Sequence, residues 1–212
     1  MSELNGLIYI PILHTQREVA AIAAATKDIT LARDGTESIS SAEHQESIAD
    51  MWSGIARKIS EVNIPCRSFR IYQDALPVCG MERSIVEKLA AKNSPNHRLI
   101  LELLNKEALL EGTEDPDFLV EEYDALNKLL QGSGSKDNPA ALAEYRAKSN
   151  RLMEKRDAFI VGRIRSTIQP GETPLVFMGV RHKLEKLLET HFIVSYVIYR
   201  LPFKKIRDIY NV

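Results

Sequence analysis

The chain has 212 residues, 44% of them hydrophobic and 27% charged, with 28 basic side chains against 29 acidic ones. Such a composition can bury a core, which excludes wholesale disorder, and the length suits one globular domain or at most two small ones. The near-neutral balance gives no global attraction to nucleic acid, and no apolar run approaches the ~18 residues that a bilayer-spanning helix needs. An acid precedes the first apolar run, where a secretory signal would carry basic residues. Two cysteines, Cys66 and Cys79, are too few for a disulfide scaffold. A single domain over residues 1–212 in a reduced cytoplasm is expected.

In chain order, Leu7 to Leu13 (LIYIPIL) has the short, apolar, β-rich character of a buried strand. Pro11 inside it implies that the strand lies at an edge or ends there. An Ala-rich helix is expected over Glu18 to Thr26, a loop over Asp34 to Ser41, and a helix from Ala42 to about Val62. In that last helix Ile48, Met51, Trp52, Ile55 and Ile59 recur at three- and four-residue spacing. Arg67 to Gln73 alternates as a second strand with Asp74 at its end, and Pro77 and Gly80 make the turn that follows. Helices are expected over Glu82 to Lys92 and Asn96 to Glu111, with Gly112 as a helix C-terminal residue. Asp115-Pro116 opens another, running to about Leu130. Gly132 to Pro139 (GSGSKDNP) has the composition of a flexible connector. A long helix follows, Ala140 to Ile168, closed by Pro170-Gly171. Leu175 to Gly179 is a third strand, His182 to Glu189 a short helix, and Phe192 to Tyr199 a fourth strand, taken as internal. The basic tail Pro202 to Tyr210 suits a last helical turn. This alternation predicts a helix-rich α/β fold: a central sheet of short, mostly buried strands with a helical insertion at about residues 82–168.

Three polar sites fall at the C-terminal ends of predicted strands, where ligands bind in open α/β sheets. These are His14 after the first strand, Asp74 after the second, and Gly179-Val-Arg-His182 after the third. Two histidines at matched positions can share one divalent ion as neutral imidazoles, or each can simply hydrogen-bond locally. His44, His97 and His191 lie in polar helical or loop contexts and are taken as structural. Glu107 to Asp124 carries eight acids and no base, mostly a solvated face and acidic first turns. Glu114 differs, because it follows Gly112-Thr113 at a helix break where a carboxylate can be aimed inward and serve as ligand or general base. On the long helix, Tyr145, Ser149, Leu152, Arg156, Phe159 and Arg163 share one face. Arg156 and Asp157 therefore interrupt a core-facing surface, where charge is costly unless paired. Arg156 either forms a structural pair with the acidic helices or holds a substrate carboxylate.

These pieces, in this order, resemble the broad superfamily of TraB/PrgY, Tiki (GumN-like), erythromycin esterase and ChaN-type proteins. The motifs that carry the resemblance are Pro11-Ile-Leu-His14, Tyr72-Gln73-Asp74, Gly112-Thr-Glu114, Lys155-Arg156-Asp157 and Gly179-Val-Arg-His182. Pro11 stands where the family usually has glycine, Asp74 where glutamate is more usual, and Arg181 where a small residue is common. The resemblance implies an α/β fold of two related halves with a pocket at their junction. Some relatives are metal-dependent peptidases, others open a lactone ester, and others bind peptide pheromone or haem, so substrate is not inherited with the fold.

The expected activity is hydrolysis of a peptide or ester bond. His14 and His182, alone or with Glu114, would either hold a divalent metal such as manganese, cobalt or zinc or polarise water directly, and Glu114 or Asp74 would accept a proton from water; without a metal, one histidine would serve as general base instead. Arg156 would stabilise developing negative charge, and Arg163, Gly179 and Arg181 are the accompanying substrate contacts. The alternative is a non-catalytic protein that uses the same pocket to hold a peptide or small anionic ligand. A homodimer or other homo-oligomer is a further expectation, through the acidic helices and basic tail or through Phe192 to Tyr199.

Overall fold

The computed structural model describes residues 5–12, 42–131 and 139–199. Among the described residues five short runs become strands, all but β3 rich in β-branched and aromatic residues: β1 (Asn5–Ile12), β2 (Phe69–Gln73), β3 (Leu109–Glu111), β4 (Thr173–Gly179) and β5 (Phe192–Tyr196). Helices separate them: α1 (Ala42–Glu61), α2 (Glu82–Ala91), α3 (Pro95–Asn105), α4 (Pro116–Gln131), α5 (Pro139–Thr167) and α6 (Glu185–Leu188). A helical crossover brings the chain back in the direction it left, so every pairing is parallel. The sheet order is β3-β2-β4-β1-β5.

Both faces of the sheet are covered, as an all-parallel sheet requires. Alternate residues of each strand feed opposite cores. Ile8, Ile10, Ile12, Phe69, Ile71 and Phe177 pack with Trp52, Ile55 and Ile59 of α1 and with the apolar sides of α2 and α3. Leu7, Tyr9, Tyr72, Val176 and Met178 pack with Ile160, Val161 and Ile164 of α5 and with Leu184 and Leu188. The helix-rich α/β architecture is the one expected.

Three expectations need correction. The helix from Asn96 ends at Asn105 rather than at Glu111: Glu107 takes a left-handed backbone (φ 71°), and the Ala108 amide turns back to the Leu103 carbonyl at 3.1 Å. With no glycine at that break, the usual helix-stop signal is missing. Leu109–Glu111 then forms the edge strand β3 beside β2, so the middle of the chain contributes to the sheet as well as to its cover. Pro11 neither ends β1 nor puts it at an edge. β1 lies between β4 and β5 and pairs with β4 as far as Ile12↔Gly179, whereas its register with β5 stops at Tyr9↔Tyr196. The Val197 amide still reaches the Tyr9 carbonyl, so by strand alternation the Pro11 nitrogen faces the side where β5 runs out and no ladder donor is needed. Phe192–Tyr196, taken as an internal strand, is the opposite edge, with Ile193 60% exposed.

His14, the helix over Glu18 to Thr26, the loop over Asp34 to Ser41, most of the connector at 132–138 and the tail after Tyr199 lie outside the described residues. Among the described residues no helix is long and apolar enough to cross a membrane. Cys66 and Cys79 are both free thiols.

Candidate functional site

The connections of the sheet diverge at one place. The chain leaves β2 toward β3 at one edge and leaves β4 toward β5 at the other, while β2 and β4 themselves are neighbours. The crevice at the carboxyl ends of two such strands is where ligands bind in open α/β folds. Asp74 follows β2 and His182 follows β4, so both flank this crevice.

Asp74 is fixed twice by the neighbouring strand β4. Its backbone amide donates to the Phe177 carbonyl at 2.9 Å, and its Oδ2 accepts the Gly179 amide at 2.9 Å. Ala75 then turns the chain through a left-handed conformation (φ 60°), a strained geometry for a residue with a Cβ and one that concentrates at functional sites. The segment after that turn runs beside the end of β3. The Thr113 and Glu114 amides both donate to the Leu76 carbonyl, and the Val78 amide donates to the Glu114 carbonyl. The Glu114 side chain, 0% exposed, is thereby delivered beside Asp74. Gly112 permits the close approach, since a Cβ there would lie 2.6 Å from Val78 Cα and 2.9 Å from the Pro77 carbonyl. Gly112→Ala is expected to cost about 1–3 kcal/mol through overpacking against backbone. Urea denaturation checks this, and a cost near zero would mean that the two loops are not locked together.

Arg156 reaches this pair from α5. Its Nε donates to Glu114 Oε2 at 3.0 Å, and its Nη2 donates to Glu114 Oε1 at 2.6 Å and to Asp74 Oδ1 at 3.3 Å. Its Nη1 pairs closely with Glu122 of α4. Burial pulls the Arg156 pKa down, but the hydrogen bond and charge of Glu114, helped by Asp74 and Glu122, outweigh it and keep the guanidinium charged. For Glu114 burial dominates. It lifts the carboxyl above its ordinary range despite Arg156.

His182 lies in the turn after β4, ahead of α6. Its Nδ1 donates to Asp157 Oδ1 at 2.6 Å and its Nε2 to Asp74 Oδ1 at 3.1 Å. The second Asp157 oxygen accepts the Lys183 amide at 3.0 Å, which fixes the turn. Burial disfavours the imidazolium, but the hydrogen bonds to Asp157 and Asp74 and the Asp74 charge outweigh it, and the pKa is pushed up to about 10. Asp74, Glu114 and His182 each present one ligand-type atom within 4.8 Å of the others, all three side chains being buried.

Of the residues singled out by the sequence, Asp74, Glu114, Arg156 and His182 come together, and the Gly179 amide is held by Asp74. Arg163 is turned elsewhere: its Nε donates to the Gly112 carbonyl at 3.1 Å and its Nη2 to Glu111 at 3.1 Å, tying α5 to the end of β3. Arg181 lies at the outer margin, donating to Ser149 Oγ at 2.9 Å. His97, taken as structural, bonds Ser94 Oγ at 2.8 Å across the first turn of α3.

Glu122 is the member that the sequence reading missed, and Asp157 was recognised only as a charge on a core-facing surface. A signal for Glu122 existed. It lies one turn beyond Phe118, which packs edge-on against Phe159 at 6.3 Å, and Arg156 lies about one turn before Phe159. A Phe-x-x-x-Glu face opposite an Arg-x-x-Phe face places the two charges together between antiparallel helices.

No protein-family model matches the chain, and no curated protein or solved structure matches it either. What stands is the class defined above: a helix-rich α/β fold on an all-parallel sheet, with a buried Asp-Glu-Arg-His cluster at the C-terminal edge of its strands.

Proposed function

We propose that this cluster is a hydrolytic site, acting on a peptide or ester bond with the help of a divalent cation. The observation that carries the proposal is the convergence of Asp74, Glu114 and His182 within 4.8 Å, at the divergence of the β2 and β4 connections. The donor set fits such a cation: two carboxylate oxygens and one imidazole nitrogen suit manganese, cobalt or zinc. Asp157 on Nδ1 is the outer partner that orients a ligating histidine and leaves Nε2 facing the site. When bound, the ion supplies Lewis acidity, acidifying water and polarising a carbonyl.

The chain's own residues supply the rest. Glu114, with its proton affinity raised by burial, accepts a proton from water and returns it to the leaving group. Arg156 is placed to oppose negative charge developing on the substrate. Gly179 and Arg163 serve by position, the first holding Asp74 and the second holding the loop that presents Glu114. The resemblance to the TraB/Tiki/erythromycin esterase/ChaN superfamily belongs to this same reading.

The second reading, a binding protein for a peptide or small anion, is favoured by one observation. Arg156 already hydrogen-bonds both Glu114 and Asp74, as it would in a pocket that works without an ion.

Elemental analysis of protein purified without chelator, as wild type and as His182→Ala, separates the two. Stoichiometric metal that is lost in the variant is expected. Metal-free wild type that also fails to take up manganese, cobalt or zinc on titration would overturn the metal-dependent reading and leave a metal-free hydrolase or a binding protein, which turnover of generic ester and peptide substrates separates.

A further inference from the structure

Glu122 differs from the other carboxylates on Arg156. Asp74 and Glu114 are 3% and 0% exposed, whereas the Glu122 side chain is 24% exposed and is carried by α4 rather than by a loop at the sheet edge. Its two oxygens meet two different arginines: Oε2 pairs closely with Arg156 Nη1, and Oε1 lies 3.7 Å from Arg181 Nη1. Arg181 is itself 59% exposed at the margin of the site, yet its direction is set from below by the buried Ser149 hydroxyl at 2.9 Å. The result is a carboxylate gripped between one buried guanidinium and one that faces solvent, at the outer margin of the buried cluster.

We infer that Glu122 occupies the subsite for a ligand carboxylate, and that Arg156 and Arg181 together recognise a substrate with a free α-carboxylate, such as a short peptide or an N-acyl amino acid. Guanidinium groups recognise carboxylates through directed, paired N–H donors. Here two are already aimed at one carboxylate. The outer contact is weak, because a long ion pair with an exposed partner is worth little, so an incoming anion has to replace only the inner contact of Glu122 with Arg156, with one carboxylate taking the place of another. The α4–α5 packing through Phe118 and Phe159 need not move, since a rotamer change at Glu122 suffices. This inference rests on the proposed hydrolytic site only for the statement that the anion is a substrate.

Calorimetric titration of chelator-treated protein with N-acetylglycine at low ionic strength tests it, with the uncharged N-acetylglycine amide as control. Removing the internal competitor by Glu122→Gln should tighten N-acetylglycine binding about tenfold. Adding Arg181→Gln should reverse that gain, and the neutral amide should show no gain at all. Arg181→Gln in the otherwise unchanged chain, an exposed substitution, should weaken binding severalfold and carries the test even if Glu122→Gln disturbs folding. Equal binding by wild type and Glu122→Gln, indifference to Arg181, or equal binding of the amide would each overturn the inference. Metal uptake is read separately: uptake without carboxylate binding removes this inference alone, and carboxylate binding without metal uptake removes the metal-dependent reading alone.

Discussion

Arg156→Met is expected to destabilise the protein by about 3–5 kcal/mol at neutral pH, because it leaves charged partners buried without their counter-ion. Arg156 is the hub of the cluster, bonding Glu114 through two nitrogens, Asp74 through one and Glu122 through the third. Methionine fills much of the same volume, so the loss reports charge rather than a cavity. Two further results should follow. The deficit should shrink in acid, since burial raises the Glu114 pKa and the folded state without Arg156 then binds a proton more tightly than the unfolded chain does. Glu114→Gln added to Arg156→Met should recover part of the loss. Urea denaturation of the two variants across pH measures all three quantities. A single-variant cost below about 1 kcal/mol would place Arg156 among ordinary surface pairs and contradict its assigned role.

The second large effect is a loss of stability in alkali that depends on one residue. The His182 pKa, ordinarily near 6.5, is pushed up to about 10 by Asp157 and Asp74 against the cost of burial. Its folded-state value lies above its unfolded value, so its contribution is fully present below about pH 6.5 and disappears as pH rises toward 10. Within that window metal-free protein should lose up to about 1.4 kcal/mol per pH unit. Denaturation midpoints at pH 6, 7.5 and 9 measure the slope, and His182→Gln should flatten it. The same slope in the variant would assign the proton to another group. The buried tyrosines do not blur this window, since Tyr9 and Tyr72 are shifted upward by burial and affect stability only above pH 10.

The sequence already carried the fold class, four of the five strands and the helices covering the sheet. Apolar runs at strand length and apolar stripes at helix spacing are local signals that a parallel, doubly covered sheet does not contradict. β3 was lost for a local reason: Leu109–Glu111 is three residues long, and it follows a helix that stops at Asn105 with the left-handed turn made by Glu107 rather than by a glycine. The position of β1 was misjudged because proline was read as a mark of the strand, whereas what matters is which side of the strand its nitrogen faces. Within the site, Asp74, Glu114 and His182 were visible as polar residues just after strands or at a chain break. Arg156 and Asp157 were visible as charges on an apolar face. Glu122 was hidden inside an acidic helix, and its spacing from Phe118 becomes informative only once α4 is known to pack on α5 through Phe159. The pairing of Arg163 with Glu111 and Gly112 depends equally on that packing, which no spacing in the chain encodes.

The strand order also bears on synthesis. β1 lies between β4 and β5, so among the described strands the first in chain order has both its neighbours among the last two. During elongation β2 and β3 can pair before β4 is made, whereas β1 gains its two described sheet neighbours only when β4 and β5 have emerged. Non-local pairings of this kind fold slowly and expose strand edges meanwhile. The same order ties the site to completion, because Gly179 and His182 arrive with β4, and Asp74 and Glu114 have no imidazole partner before then. A nascent or truncated chain that stops short of β4 therefore carries Asp74, Glu114, Glu122, Arg156 and Asp157 without His182. The cluster should therefore assemble only once β4 has joined the sheet, because Asp74 is fixed by the Gly179 amide and bonded by His182.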